Sequence, residues 1–81
     1  MSKKRASDID KVIGRNLRFF RQSYNWGQKY VGAYLGVSDQ QVSKYEKGKD
    51  RLSASDLYKL SEALVIPVHS FFAGVMEDVH G

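Results

Sequence analysis

Apolar residues recur every three or four positions from one end of the chain to the other, and that spacing restricts the fold more than any other feature. Ile9, Ile13, Leu17, Phe20 and Tyr24 paint one face of a helix over residues 8–24. Val31 and Leu35 are four apart in a short helix over 28–35, and Leu57, Leu60 and Leu64 point inward from one over 54–64. Pro67 stops and restarts the chain, and Val68, Phe71 and Phe72 fit a last helix over 68–73. No hairpin signal and no internal repeat interrupts the pattern, so the expected class is all-α with five helices. An 81-residue chain buries only about 60% of its unfolded surface, which leaves room for one domain. It reads as a basic arm over 1–7, a helical domain over 8–73 and a tail over 74–81.

Between the helices the punctuation is specific. Ser38 and Gln41 form a capping box in which each satisfies the other's backbone, with Val37 and Val42 as the hydrophobic staple. Ser53 and Asp56 repeat the box with Leu52 and Leu57 as staple, and Trp26 and Val31 make a third staple around Gly27. Asn25 tolerates the left-handed conformation that ends many helices. Leu35-Gly36-Val37-Ser38 leaves about three residues to turn, the length that joins two helices at roughly 90 to 120° in a helix-turn-helix. Gly36 supplies the turn. Gly32, one turn earlier, lets the next helix approach closely, a reason for accepting the roughly 1 kcal/mol that glycine costs in a helix.

That next helix, 39–47, has little apolar content. On a helical wheel Val42 and Tyr45 lie on one side; Gln40, Ser43, Lys44 and Lys47 gather opposite, with Asp39 at the exposed N-terminal edge. Glutamine bonds adenine in bidentate fashion and lysine reaches guanine or phosphate, so the face suits the major groove of DNA. A net charge of +4 favours polyanionic partners. A polar face that merely meets water has the same composition.

At this point the stretch GQKYVGAYLGVSDQQVSKYEKGKDRLSASDLYKLSEALVIPVHSFF resembles the lambda-repressor-like, Cro/cI-type (XRE) helix-turn-helix domain, over nearly all of residues 9–72. Gln28 matches the glutamine that opens the second helix, Gly32 the small residue, Gly36 the turn glycine, Val42 and Tyr45 the buried pair of the recognition helix, and Gly48 the glycine that ends it. The resemblance implies that Asp39, Gln40, Gln41, Ser43 and Lys44 face bases, and that Gln28, Lys29, Lys47, Lys49 and Arg51 meet the phosphate backbone. It also implies that Arg21 of the first helix pairs with Glu46 and holds the recognition helix to the scaffold.

Three positions depart from the family pattern. Gly27 stands where a serine or threonine cap is usual, at a cost of a few tenths of a kcal/mol. Val65 replaces a helix-ending glycine; a β-branched residue resists positive φ, so a different boundary geometry is expected there. Asp39 brings a carboxylate to the DNA-facing end, where it reads cytosine or excludes wrong sites.

The expected function is a dimeric, sequence-specific DNA-binding regulator that represses by occupying an inverted-repeat operator. Val68, Phe71, Phe72, Val75 and Met76 supply an apolar C-terminal face for the homodimer, with Val68 and Phe71 read as core. The rival readings are an antitoxin that also binds a toxin protein, and a protein-interaction module that has lost DNA binding. Lys3, Lys4 and Arg5 offer an arm that follows DNA or a tail without a role. With no cysteine, and with only His69 and His80, neither a catalytic site nor a metal or cofactor site is expected, and no small-molecule ligand is evident. No long apolar run or secretory signal appears, so no membrane partner and a cytoplasmic location are expected.

Overall fold

A computed structural model describes residues 6–74, and among them all regular structure is helical: α1 Ala6–Ser23, α2 Gln28–Leu35, α3 Asp39–Glu46, α4 Ala54–Leu64, and a 3₁₀ helix Val68–Phe72. The class is as expected, but the fifth element differs. Five residues after Pro67 close with the tighter 3₁₀ pattern, Ser70 N–H bonding the Pro67 carbonyl at 3.0 Å, instead of forming an α-helix over 68–73. The C-terminal end of this element is anchored from the side. Asn16 of α1 donates from Nδ2 to the carbonyls of Phe71 (2.8 Å) and Ala73 (2.9 Å), two groups that the short helix leaves without partners.

Leu17, Val31, Val42, Leu60, Leu64 and Phe71 are fully buried and come from all five elements, so one core joins them. Ile13, Phe20, Trp26, Val37, Leu52 and Ile66 pack around it half-buried, which places a member of each expected staple against the same core. Phe71 is core, as its spacing implied, whereas Val68 is 43% exposed. Tyr24 also departs from the expected inward face: it is 44% exposed, its hydroxyl donates to the Leu64 carbonyl, and its ring meets Trp26 edge-on. A phenol keeps its oxygen at a polar partner, which holds the ring at the margin of the core.

Each α-helix ends on a left-handed residue: Asn25 (φ 60°), Gly36 (77°), Gly48 (72°) and Val65 (55°). After each, the next N–H reaches back five positions to a helix carbonyl: Trp26 to Arg21 (2.9 Å), Val37 to Gly32 (2.8 Å), Lys49 to Lys44 (2.9 Å) and Ile66 to Ser61 (3.0 Å). Val65 thus adopts the very geometry its β-branch disfavours. Two cap hydrogen bonds, with Ile66 packed on the core behind them, outweigh a local penalty of about 1–2 kcal/mol. Because Val65 is 86% exposed, its side chain returns little of that cost. Val65→Gly is therefore expected to stabilise the domain by about 1 kcal/mol, seen as a rise of roughly 4–8 °C in the thermal midpoint; a fall would show that valine is unstrained there.

Candidate nucleic-acid interface

The turn between α2 and α3 is built from glycines used for different reasons. Gly36 is in the left-handed region with open space around it, so it is the backbone angle that calls for glycine. At Gly32 the reason is contact: a Cβ there would lie 2.6 Å from the Val37 carbonyl oxygen and 3.2 Å from Ser38. The close neighbour of Gly32 is therefore the turn backbone entering α3, where the sequence suggested the third helix itself.

Ser38 caps α3 by accepting from the Gln41 N–H at 3.1 Å. The Gln41 amide does not serve a reciprocal box. It donates instead to Asp50 in the following loop at 2.9 Å, a contact between residues nine apart that local pattern could not reveal. Ser53 caps α4 in the same way, accepting from Asp56 N–H at 3.0 Å. Along α3, Val42 and Tyr45 are buried; Asp39, Gln40 and Lys44 are exposed, as is Lys47 just past its end; Gln41 and Ser43 are half-buried at the edges of that face.

What holds α3 at its angle is an ion pair and two close crossings. Arg21 Nε donates to Glu46 Oε2 at 2.6 Å and its second terminal nitrogen to Oε1 at 3.1 Å, a fork that the guanidinium geometry favours. The remaining terminal nitrogen donates to the Trp26 carbonyl at 2.8 Å, and Gln28 Nε2 reaches Glu46 Oε1 at 3.0 Å. The two side chains are 11% and 4% exposed, so the pair is screened little by water. One carboxylate thus ties the end of α3 to α1 and to the start of α2.

The first crossing is at Gly14 of α1, where a Cβ would stand 2.1 Å from the Tyr45 carbonyl oxygen and 2.8 Å from that of Glu46. The second is at Gly48, whose Cβ would meet Lys11 at 2.5–2.9 Å. The stretch of α1 between them includes the buried Val12, a position that a single 3–4 spacing passes over. Neither Gly14 nor Val12 stood out in the sequence; a glycine in mid-helix was the available signal, as it was for Gly32.

The cations that the resemblance gives to the DNA backbone come from α2 and from the loop after α3. Lys29 is exposed in the first turn of α2, where Gly27 provides no side-chain cap. Lys47, Lys49 and Arg51 are exposed on the loop after α3, and Arg51 Nε also donates to Asp10 of α1 at 2.9 Å while the side chain stays 68% exposed. With Asp50 tied to α3 and Arg51 to α1, the loop is held on both sides. Gln28 is half-buried with its amide nitrogen on Glu46, which places it beside the C-terminal end of α3. Lys3, Lys4, Arg5, Val75, Met76 and His80 lie outside the described residues. His69 is exposed in the 3₁₀ helix, and no three His, Cys, Asp or Glu gather among the described residues.

A helix-turn-helix family model matches residues 17–69. An HTH-type transcriptional regulator of Sinorhizobium medicae is 38% identical over 80 residues, covering 99% of this chain and 58% of the relative. A transcriptional regulator in the ATPase CF(0) region of Rhodospirillum rubrum is 38% identical over 65 residues, 80% of this chain and 60% of its own length. The chain spans between 52% and 60% of the length of the curated relatives it matches. Among solved structures, the restriction-modification controller protein C.AhdI of Aeromonas hydrophila superposes with a TM-score of 0.69 at 25% identity, over 78% of this chain and 96% of that one. The clp gene regulator ClgR of C. glutamicum shares the fold, with a TM-score of 0.74 at 21% identity over 86% of this chain and 91% of that one. With the glycine turn, the buried Val42 and Tyr45 and the matched residues in agreement, this chain belongs to the Cro/cI-type (XRE) helix-turn-helix family.

Proposed function

We propose that the protein is a DNA-binding transcriptional regulator that lays α3 in the major groove and represses by occupying its operator. The observation that carries this reading is the mounting of α3: a short helix with an exposed face of Asp39, Gln40 and Lys44, fixed to α1 and α2 by Arg21 and Glu46. A rigid polar helix flanked by cations has the two parts that readout needs, base-contacting groups and backbone-contacting groups. In this reading Gln40 and Lys44 meet base edges. Gln41 and Ser43 line the margins, and Lys29, Lys47, Lys49, Arg51 and Gln28 follow phosphates. Asp39 accepts from cytosine, and its charge weakens sites that present a phosphate or an acceptor there.

One α3 reads only a few base pairs, so the operator is an inverted repeat bound by a homodimer with half-sites ~34 Å apart. Val68 and Phe72, 43% and 39% exposed, supply the apolar surface of the C-terminal face, whereas Phe71 is wholly buried. Phe19, 63% exposed, is a further apolar group on α1; its ring meets Phe20 at 5.5 Å, and Phe20 meets Phe71 at 5.6 Å. No helix among the described residues is long and apolar enough to cross a membrane, and the proposed site of action is the cytoplasm.

A second reading, a protein-interaction module, draws on the exposed aromatics Tyr30, Tyr34 and Tyr58 on α2 and α4. Two substitutions separate the readings. Lys44→Gln is expected to cost about 1–3 kcal/mol on the preferred duplex and to relax the preference at one base pair, while Lys47→Gln weakens binding evenly on all sequences and lowers the salt slope by about one. Unchanged affinity in both would refute groove reading.

A further inference from the structure

Beside the recognition helix, Arg18, Arg21, Gln28, Ser43, Glu46 and Lys47 enclose a pocket of about 220 Å³. Its only carboxylate is already matched. Both Glu46 oxygens accept from Arg21, and Oε1 also accepts from Gln28. Arg18 and Lys47 are both exposed, and neither enters an ion pair among the described residues. They approach the same space from α1 and from the end of α3, two elements that the Arg21–Glu46 pair keeps in fixed relation. The half-buried Ser43 adds a hydroxyl and Gln28 an amide to the lining. Two unmatched cations with neutral hydrogen-bonding groups between them suit a compact anion with several acceptor oxygens, and a guanidinium pairs with such a group in bidentate fashion.

We propose that this pocket seats one phosphoryl group of the duplex backbone, with Arg18 as its ligand from α1. The assignment rests on the DNA-binding reading above, which gave Gln28 and Lys47 to phosphates and gave Arg18 no role. It makes α1 part of the interface. A phosphate held between Arg18 on one element and Lys47 on another fixes both the depth and the register of α3 in the groove, since phosphate contacts set position while base contacts set sequence. It also moves Ser43 from the base-reading group to the backbone-holding one.

The test compares the salt dependence of duplex binding for the unchanged protein, Arg18→Gln, Arg18→Lys and Lys59→Gln, the last an exposed cation on α4 that does not line the pocket. Arg18→Gln is expected to reduce the slope of log affinity against log salt by about 0.9 per protomer and to weaken specific and unrelated duplexes alike by about 5- to 30-fold. Arg18→Lys keeps the slope and loses only part of the affinity, and Lys59→Gln changes neither. Equal slopes for Arg18→Gln and Lys59→Gln, with the unchanged protein binding normally, overturn the pocket assignment and leave the functional reading intact. Absence of salt-dependent binding by the unchanged protein overturns both. A second arm measures the thermal midpoint with inorganic phosphate and no DNA. It is expected to be the same in the unchanged protein and Arg18→Gln up to about 1 mM; stabilisation that depends on Arg18 would assign the pocket to a free anion and overturn the backbone assignment.

Discussion

Replacing Gly14 with alanine is expected to lower the thermal midpoint by roughly 15 °C, the equivalent of about 3 kcal/mol for a domain of this size. The sign is not obvious from local preference. Alanine is the better helix former by about 1 kcal/mol, and Gly14 is not among the residues with positive φ. What decides is contact: the new Cβ would stand 2.1 Å from the Tyr45 carbonyl oxygen, a backbone atom that cannot swing aside like the end of a side chain. That carbonyl also accepts the Gly48 N–H at 3.1 Å, so pushing it disturbs the cap that ends α3. Duplex affinity is accordingly expected to fall even at temperatures where the variant is folded, because α3 cannot keep its distance from α1. Thermal unfolding followed by circular dichroism measures the first effect; a midpoint within 2–3 °C of the unchanged protein (below about 1 kcal/mol) would show that α1 and α3 can separate at little cost.

The second large effect is expected at Glu46. Truncation to alanine leaves the Arg21 guanidinium, 11% exposed, without its carboxylate, and removal of one member of a buried pair costs about 3–5 kcal/mol. Glu46 lies at the C-terminal end of α3, where a negative charge opposes the helix dipole by about 0.3–1 kcal/mol, so the pair must outweigh that disadvantage. The Gln28 amide and the Trp26 carbonyl, both joined to the same network, lose their fixed geometry with it. Removing both charges, as in Arg21→Met with Glu46→Leu, is expected to recover most of the loss, because desolvation of two ions disappears together with their attraction. Denaturant midpoints for the two singles and the double give the coupling directly. A Glu46→Ala variant as stable as the parent would mean that Arg21 finds water, and that α3 is held by apolar packing alone.

Much of the scaffold was legible because local rules and tertiary packing agree in it. Leu17, Val31, Val42, Leu60 and Leu64 sit where a 3–4 spacing puts them, and Asn25, Gly36 and Gly48 end helices as their side chains allow. Departures occur where tertiary contact overrules local preference. Val65 takes a left-handed angle because Ile66 must return to the core. Tyr24 stays at the rim because its hydroxyl has a partner there, and the segment after Pro67 has too few residues for an α-helix to be worth its nucleation. In the candidate interface, the identity of the outward face of α3 followed from its wheel, but the partners of Gln41, Arg51 and Gly14 are distant in sequence. No spacing rule connects Asp10 with Arg51. Arg18 carries no signal in the sequence, because an arginine on a polar helix face is ordinary until the fold sets Ser43 and Lys47 around the same pocket.

The measurement that tests the central claim most directly is selection of bound duplexes from a random pool at near-physiological salt, followed by sequencing. Groove reading by α3 in a symmetric dimer expects an enriched inverted repeat, with half-site centres one helical turn or a small multiple apart. A pool that shows salt-sensitive binding but no enriched sequence would contradict that claim, because the cations around α3 would then hold DNA without the helix reading it.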